Sequence, residues 1–217
     1  MDVELVIFDM DGVIFDSEKV YFKSNSIAAE QLGMDYSFEY YRQFIGGGNE
    51  AMFEQMVKDY GDRDLISKFF EISFANIYPV VDQGELKLKP GFLELTKYLD
   101  EQKIAYTLAS SNDKDKIEYF LEKTGLEHNF QHIICADDVH EAKPDPEVFN
   151  VAWAKSGAPD KQKTIIIEDS VNGIKAANNA EIPVIMVPDY LQPGEYERQH
   201  TLAILDDLHQ VKDFIVK

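Results

Sequence analysis

Apolar residues gather in five short runs along this chain, and the intervals between them carry the spacing of amphipathic helices. The runs are Val3 to Phe8, Ile104 to Ala109, His132 to Ala136, Thr164 to Ile167 and Pro183 to Val187. Each is long enough for one strand, and several are apolar at consecutive positions. Unbroken runs of this kind suit a parallel sheet with both faces covered, because a solvated face would need every second residue polar. The intervals Gly91 to Gln102, Asp113 to Thr124, Asp145 to Ser156 and Ser170 to Asn179 read as helices. Strand then helix, repeated, predicts an α/β fold built on a doubly wound, mostly parallel, Rossmann-like sheet.

One interval departs from this rhythm. From Ser17 to Leu86 the chain offers candidate helices and no convincing strand. Val20, Ile27 and Leu32 share one side of a first helix that stops at Gly33. Met52, Met56, Val57 and Tyr60 mark another, ending at Gly61, and Leu65, Phe69, Ile72 and Ile77 form a longer stripe. Tyr36, Phe38, Tyr40 and Tyr41 read as core of this helical part. The connection Val80 to Gly84 and the Pro90-Gly91 turn mark its return to the sheet. The predicted organisation is an α/β core of residues 1–16 and 87–217, with residues 17–86 inserted as an α-helical cap. An insert after the first strand overhangs the carboxyl end of the sheet, where open α/β folds place ligands.

Composition narrows the function. The 217 residues hold 21 basic and 40 acidic side chains, a net charge of −19. Such an excess repels phosphate backbones and anionic membrane surfaces, so neither a nucleic acid nor a membrane is expected as a partner. A small phosphorylated ligand needs only a local positive pocket. The single cysteine, Cys135, excludes an internal disulfide and a thiolate zinc site, and its apolar run predicts a buried, reduced thiol. The five histidines lack metal-ligand spacing, and Trp153 reads as a packing residue. Residues Met1 to Leu5 lack the basic start of a secretory signal, and no apolar run nears the roughly 20 residues that span a bilayer. The expected location is the cytoplasm.

The densest chemistry stands where strands end. Asp9-Met10-Asp11-Gly12 follows the first strand, and period-two geometry would point Asp9 and Asp11 the same way. Glu168-Asp169-Ser170 follows the fourth strand; Asp169 or Ser170 could cap the next helix, but a cap does not explain Glu168. Four convergent carboxylates suit an oxygen-lined Mg²⁺ site. Ser110-Ser111-Asn112, between a strand and a helix, reads either as a phosphate seat or as a helix cap. Lys143, in a loop stiffened by Pro144 and Pro146, reads as an anion partner or a solvated charge.

Taken in order, these four segments resemble the haloacid dehalogenase-like hydrolase superfamily, in the group with a helical cap between the first and second motifs. The chain is similar there to β-phosphoglucomutase and to small sugar-phosphate phosphatases, from Val3 to about Val187. The resemblance implies Asp9 as the nucleophile and Asp11 as general acid and base. It implies Mg²⁺ held by Asp9, the Asp11 backbone carbonyl and Asp169, with Glu168 as ligand or support, and a phosphoryl group held by Ser110 and Lys143. Asp11 argues against a dehalogenase, since the dehalogenases of this superfamily lack that second aspartate.

The cap separates phosphatase from mutase. Where the mutase has a cap histidine this chain has Tyr21, and no arginine stands in Phe44 to Glu50, although Arg42 lies just upstream. Both departures favour a phosphatase acting on a small phosphorylated metabolite such as a sugar or polyol phosphate. Gly46-Gly47-Gly48 lacks the lysine and preceding strand of a P-loop and reads as a flexible cap loop. Tyr21, Gly48, Asn49 and Glu50 are the expected specificity residues. A monomer is expected, because this architecture can close its site by moving the cap. The alternatives are a sugar-phosphate mutase and a non-catalytic phosphate-binding regulator.

Overall fold

The computed structural model describes residues 2–216. The chain forms two compact units, one made of the segments up to Phe15 and from Leu88 onward, the other of Asp16–Lys87. The first unit contains six strands: β1 (Leu5–Phe8), β2 (Ala105–Ala109), β3 (Ile133–Ile134), β4 (Thr164–Glu168), β5 (Val184–Met186) and β6 (Ala203–Ile204). All pair in parallel, in the order β3-β2-β1-β4-β5-β6. Helices α1 (Glu18–Leu32), α2 (Phe38–Arg42), α3 (Asn49–Tyr60) and α4 (Arg63–Asp82) make up the second unit. Helices α5 (Phe92–Gln102), α6 (Lys114–Thr124), α7 (Glu147–Lys155), α8 (Val171–Asn179), α9 (Glu195–His200) and α10 (Leu208–Val216) belong to the first.

The unbroken apolar runs are explained by cover on both sheet faces. Leu5 and Ile7 pack with Phe149 of α7 and Ile174 of α8. On the opposite face Phe8 meets Phe92 of α5 edge-on, with ring centroids 5.5 Å apart, and Tyr106 at 6.2 Å. Every residue of β1 is fully buried, and each such side chain contributes about 1.5–3 kcal/mol through water exclusion. The chain moves one way from β1 through β2 to β3, then returns to the other side of β1 as β4. That reversal leaves a crevice beyond the carboxyl ends of β1 and β4, the usual ligand position in such sheets.

Three features differ from the sequence reading. In α1 the buried face is Val20, Ser24, Asn25, Ala28 and Ala29, not the Val20, Ile27, Leu32 stripe. Small residues suit close packing, and the buried polar groups are satisfied: Ser24 Oγ donates to the Val20 carbonyl at 2.9 Å, Asn25 Nδ2 donates to Tyr36 Oη at 3.0 Å, and Ser73 Oγ donates to Asn25 Oδ1. Val80 to Asp82, expected as connection, continue α4 beyond Pro79, because Val80 and Val81 are buried side chains. Beyond Val187, where the predicted elements end, the chain supplies α9, β6 and α10. Of the aromatic residues read as core of the helical unit, Tyr41 is buried while Tyr36, Phe38 and Tyr40 are half-buried; Tyr36 lies 5.2 Å from Phe69 and Phe22 lies 5.1 Å from Phe38, measured between ring centroids.

Candidate active site

The first acidic pair is placed by a turn more than by a strand. Pairing of β1 ends at Phe8, and the Asp9 N–H still reaches the Ile167 carbonyl at 3.0 Å. The Met10 carbonyl then accepts the N–H groups of Ile14 and Phe15 at 2.9 and 3.1 Å, so the chain folds back at once. Gly12 occupies this turn at φ +72°, and a Cβ there would lie 2.2 Å from Asp169 Oδ2. Only glycine allows that approach, which brings the Asp169 carboxylate against the Asp9–Gly12 turn.

Glu168, the last residue of β4, is 1% exposed and saturated with donors. Its Oε2 accepts the backbone N–H groups of Asp169 at 2.8 Å and Ser170 at 2.7 Å, and the Ser170 hydroxyl at 3.0 Å. Its Oε1 accepts Lys143 Nζ at 2.9 Å, and the same ammonium donates to Asp9 Oδ1 at 2.5 Å. A glycine makes this possible, since a Cβ on Gly173 would stand 1.6 Å from Glu168 Oε1. Ser170, not Asp169, caps α8 by accepting the Gly173 N–H at 3.1 Å.

Lys143 is thus a buried cation, its side chain 7% exposed, with Nζ 4.6 Å from the centre of the Phe149 ring. Burial opposes its charge, but Asp9 and Glu168 outweigh that penalty and hold its pKa above the ordinary lysine range. Burial pushes the Asp9 carboxyl up to about 8, against the pull of Lys143 and with Glu168 and Asp11 adding to the rise. The loop ahead of Lys143 is pinned by Glu147, whose carboxylate accepts the N–H groups of His140 and Glu141 at 2.7 and 2.9 Å.

Ser110, 1% exposed, stands at the end of β2 with its N–H on the Ile134 carbonyl at 2.9 Å. Its Oγ accepts the Asn112 N–H at 3.1 Å and Asn112 Nδ2 at 3.2 Å. An oxygen accepting from nitrogen leaves its own proton to be donated to a ligand. Asn112 also gives an Nδ2 hydrogen to Asp11 Oδ2 at 2.5 Å. The cap of α6 is Asp113, which accepts the Lys116 N–H, so Ser110 and Asn112 do not serve as that cap. A cavity of about 240 Å³ opens beside these groups, lined among others by Ser110, Ser111, His140, Lys143 and Val148.

Six of the sequence-selected residues, Asp9, Asp11, Ser110, Lys143, Glu168 and Asp169, therefore converge at the carboxyl ends of β1, β2 and β4. Tyr21 in α1, Gly48 ahead of α3, and Asn49 and Glu50 in its first turn belong to the helical unit. Sequence reasoning missed the parts played by Asn112, Glu147 and Gly173. Among the described residues no group of three or more His, Cys, Asp or Glu side chains is arranged to hold a metal ion. Mg²⁺ does not need one: it is commonly bound by one or two carboxylates, keeping waters and substrate phosphate as its other ligands. Asp9 and Asp169 are two carboxyl groups of the class that Mg²⁺ takes as ligands.

Residues 6–187 match the family described as haloacid dehalogenase-like hydrolase. The chain is 32% identical over 211 residues to a probable pseudouridine-5'-phosphatase of Drosophila melanogaster, covering 95% of this chain and 90% of that protein. It is 28% identical to a phosphorylated carbohydrates phosphatase of Thermotoga maritima, covering 83% of this chain and 82% of the relative. In fold it is similar to the crystal structure of CbbY from Rhodobacter sphaeroides in complex with phosphate, with a TM-score of 0.77, 22% identity and 96% of each chain covered.

Proposed function

The chain belongs to the haloacid dehalogenase-like hydrolase family, as a hydrolase of phosphoric monoesters, and from that premise we propose that it hydrolyses a small phosphorylated metabolite through an aspartyl phosphate on Asp9. The observation that carries this reading is Lys143, a buried ammonium shared between Asp9 at 2.5 Å and Glu168 at 2.9 Å beside the Ser110 hydroxyl. A cation held this way is costly for stability alone and is suited to an anion that arrives next to Asp9.

In the first half-reaction an Asp9 carboxylate oxygen attacks phosphorus, the bond to the leaving oxygen breaks, and Asp11 gives that oxygen its proton. Ser110 donates its hydroxyl proton to a non-bridging oxygen and Lys143 offsets the accumulating negative charge. In the second, Asp11, now a carboxylate, takes a proton from water as the water oxygen attacks phosphorus. The bond from phosphorus to Asp9 breaks, inorganic phosphate forms and Asp9 is restored. Mg²⁺, held by Asp9, the Asp11 backbone carbonyl and Asp169, would supply charge neutralisation and keep Asp9 ionised against its burial. The saturated hydrogen bonding of Glu168 supports a role in holding Lys143 in place.

Sugar and polyol phosphates are the proposed substrate class, with Tyr21, Gly48, Asn49 and Glu50 selecting the leaving group from the helical cap, in a cytoplasmic monomer. Phosphate release is measured with and without Mg²⁺ across sugar, polyol and nucleotide monophosphates, with Asp9→Asn beside the wild type. Release that requires the metal and disappears in Asp9→Asn is the expected result. Metal-independent release, or release that survives Asp9→Asn, overturns the mechanism. Interconversion of hexose phosphates in the presence of a bisphosphate, faster than phosphate release, would identify a mutase instead.

A further inference from the structure

Asn112 makes an arrangement that the proposed chemistry above leaves unexplained. It stands two residues after the phosphate seat, yet its side chain crosses to the turn that carries Asp11. Both Nδ2 hydrogens have acceptors, Asp11 Oδ2 at 2.5 Å and Ser110 Oγ at 3.2 Å, while Oδ1 accepts Lys116 Nζ at 3.0 Å. The orientation of this amide is decided by charge. Reversal would set Oδ1 against a carboxylate and the NH₂ against an ammonium, two repulsive contacts in place of two attractive ones. Lys116, in the first turn of α6, therefore fixes which end of Asn112 meets Asp11. The Asn112 backbone is also held, its carbonyl accepting the Ala136 N–H at 2.8 Å.

We infer that Asn112 is a positioning residue for Asp11, oriented by Lys116, and that it sets Asp11 in register with the phosphoryl group seated on Ser110. One side chain touches both partners whose separation matters for proton delivery: the residue that gives the proton and the hydroxyl that locates the phosphoryl group. Asp11 lies in the turn that contains Gly12, beyond the end of β1, and as an acid it must meet a leaving oxygen at hydrogen-bond distance. The inference rests on the reading of Asp11 as general acid, and the test separates the two.

The discriminating variable is the leaving group. An alkyl phosphate expels a basic alkoxide that needs a proton, whereas p-nitrophenyl phosphate expels a stable phenolate that does not. The constant kcat/KM covers only steps through formation of the aspartyl phosphate, so it reports Asp11 as an acid and not as the later base. Asn112→Ala and Lys116→Met are compared with Asp11→Asn on an alkyl phosphate substrate and on p-nitrophenyl phosphate, with Mg²⁺ saturating. General acid catalysis contributes about 10²–10⁴-fold, and misplacing the acid should cost a part of that. The expected result is a fall of about tenfold or more on the alkyl phosphate for Asn112→Ala and about threefold for Lys116→Met, with p-nitrophenyl phosphate changed less than about threefold in each. Asp11→Asn should show the same selectivity in stronger form. Equal losses on both substrates would make Asn112 a part of the seat or of the fold, and no loss on either would make it a bystander; both overturn the inference. Asp11→Asn without selectivity would instead remove the acid reading on which it stands.

Discussion

Replacing a glycine inside a helix with alanine ordinarily stabilises a protein, by about 1 kcal/mol, because glycine gives up more backbone freedom on folding. Gly173→Ala in α8 should do the opposite. Its Cβ would stand 1.6 Å from Glu168 Oε1, 1.9 Å from Cδ and 2.5 Å from Oε2, so the whole carboxylate must move. That carboxylate is 1% exposed and accepts four donors, from Lys143, Asp169 N, Ser170 N and the Ser170 hydroxyl. Hydrogen bonds to a charged group contribute about 1.5–3 kcal/mol each, and separating a buried ion pair costs about 3–5 kcal/mol. Partial loss of this set outweighs the helical gain, and the expected net change is a destabilisation of about 2–4 kcal/mol. Urea unfolding followed by Trp153 fluorescence measures it in the right place. Trp153 is the sole tryptophan, lies in α7, and donates its indole N–H to the Pro159 carbonyl at 2.7 Å. In a Glu168→Ala background the obstacle is gone, and Gly173→Ala should then be neutral or stabilising. A Gly173→Ala protein more stable than wild type, or a penalty that persists without Glu168, would refute the argument.

Further predictions follow from charge and from the second glycine. Asp9 ionises near 3.8 in the unfolded chain and at about 8 when folded. Between those values the folded state keeps a proton the unfolded state releases, so this group makes stability fall as pH rises from about 4 to about 8. Asp9→Asn removes that dependence, and without metal its advantage in urea midpoint over wild type should grow across the same interval; a constant difference would contradict it. Gly12→Ala should raise the Mg²⁺ concentration for half-maximal phosphate release by about tenfold or more, since its Cβ would lie 2.2 Å from Asp169 Oδ2; an unchanged metal dependence would refute the placement of Asp169. Lys89→Met breaks a 2.6 Å pair with Asp189, whose side chains are 16% and 7% exposed, and should cost about 3 kcal/mol or more. Arg63→Met breaks a 2.8 Å pair with Glu54 that is about half exposed, and should cost less than about 1 kcal/mol in the same unfolding measurement.

Which parts of this structure could be read from the chain follows from the range of the forces involved. The runs at Val3 to Phe8 and Thr164 to Ile167 announce strands because double cover forces apolar side chains at every position, a signal contained within the run. β6 carries no such signal, being two residues, Ala203 and Ile204, that are only partly buried. α10 does carry one, in Leu208, Val211 and Ile215, spaced for a single buried face. In the site, Asp9, Asp11, Ser110, Glu168 and Asp169 stood out because each lies beside a strand end, and Lys143 because it sits in a loop stiffened by Pro144 and Pro146 after β3. Their contacts did not: Lys143 meets Glu168 across 25 residues and Asn112 meets Asp11 across 101. The Ser-Ser-Asn segment looked like a helix cap because local chemistry allows one. Asp113 takes that role and leaves Asn112 to reach a distant carboxylate.

The central place of β1 has a consequence for how the protein comes into being. Leu5 has its sheet partners a hundred residues and more later in the chain, at Ala105 and Thr164. Neither edge of the strand can be paired until Ala105 has emerged, and its second neighbour, Thr164, arrives later still. The helical unit, residues 16–87, is by contrast continuous in sequence, so it can fold during elongation once α4 has emerged to pack on α1. The apolar segment that leads to Asp9 must wait meanwhile, tethered to a finished module. A pause in translation shortly before residue 164 would prolong that exposure, and it is there that nascent-chain aggregation should be most sensitive to chaperone supply.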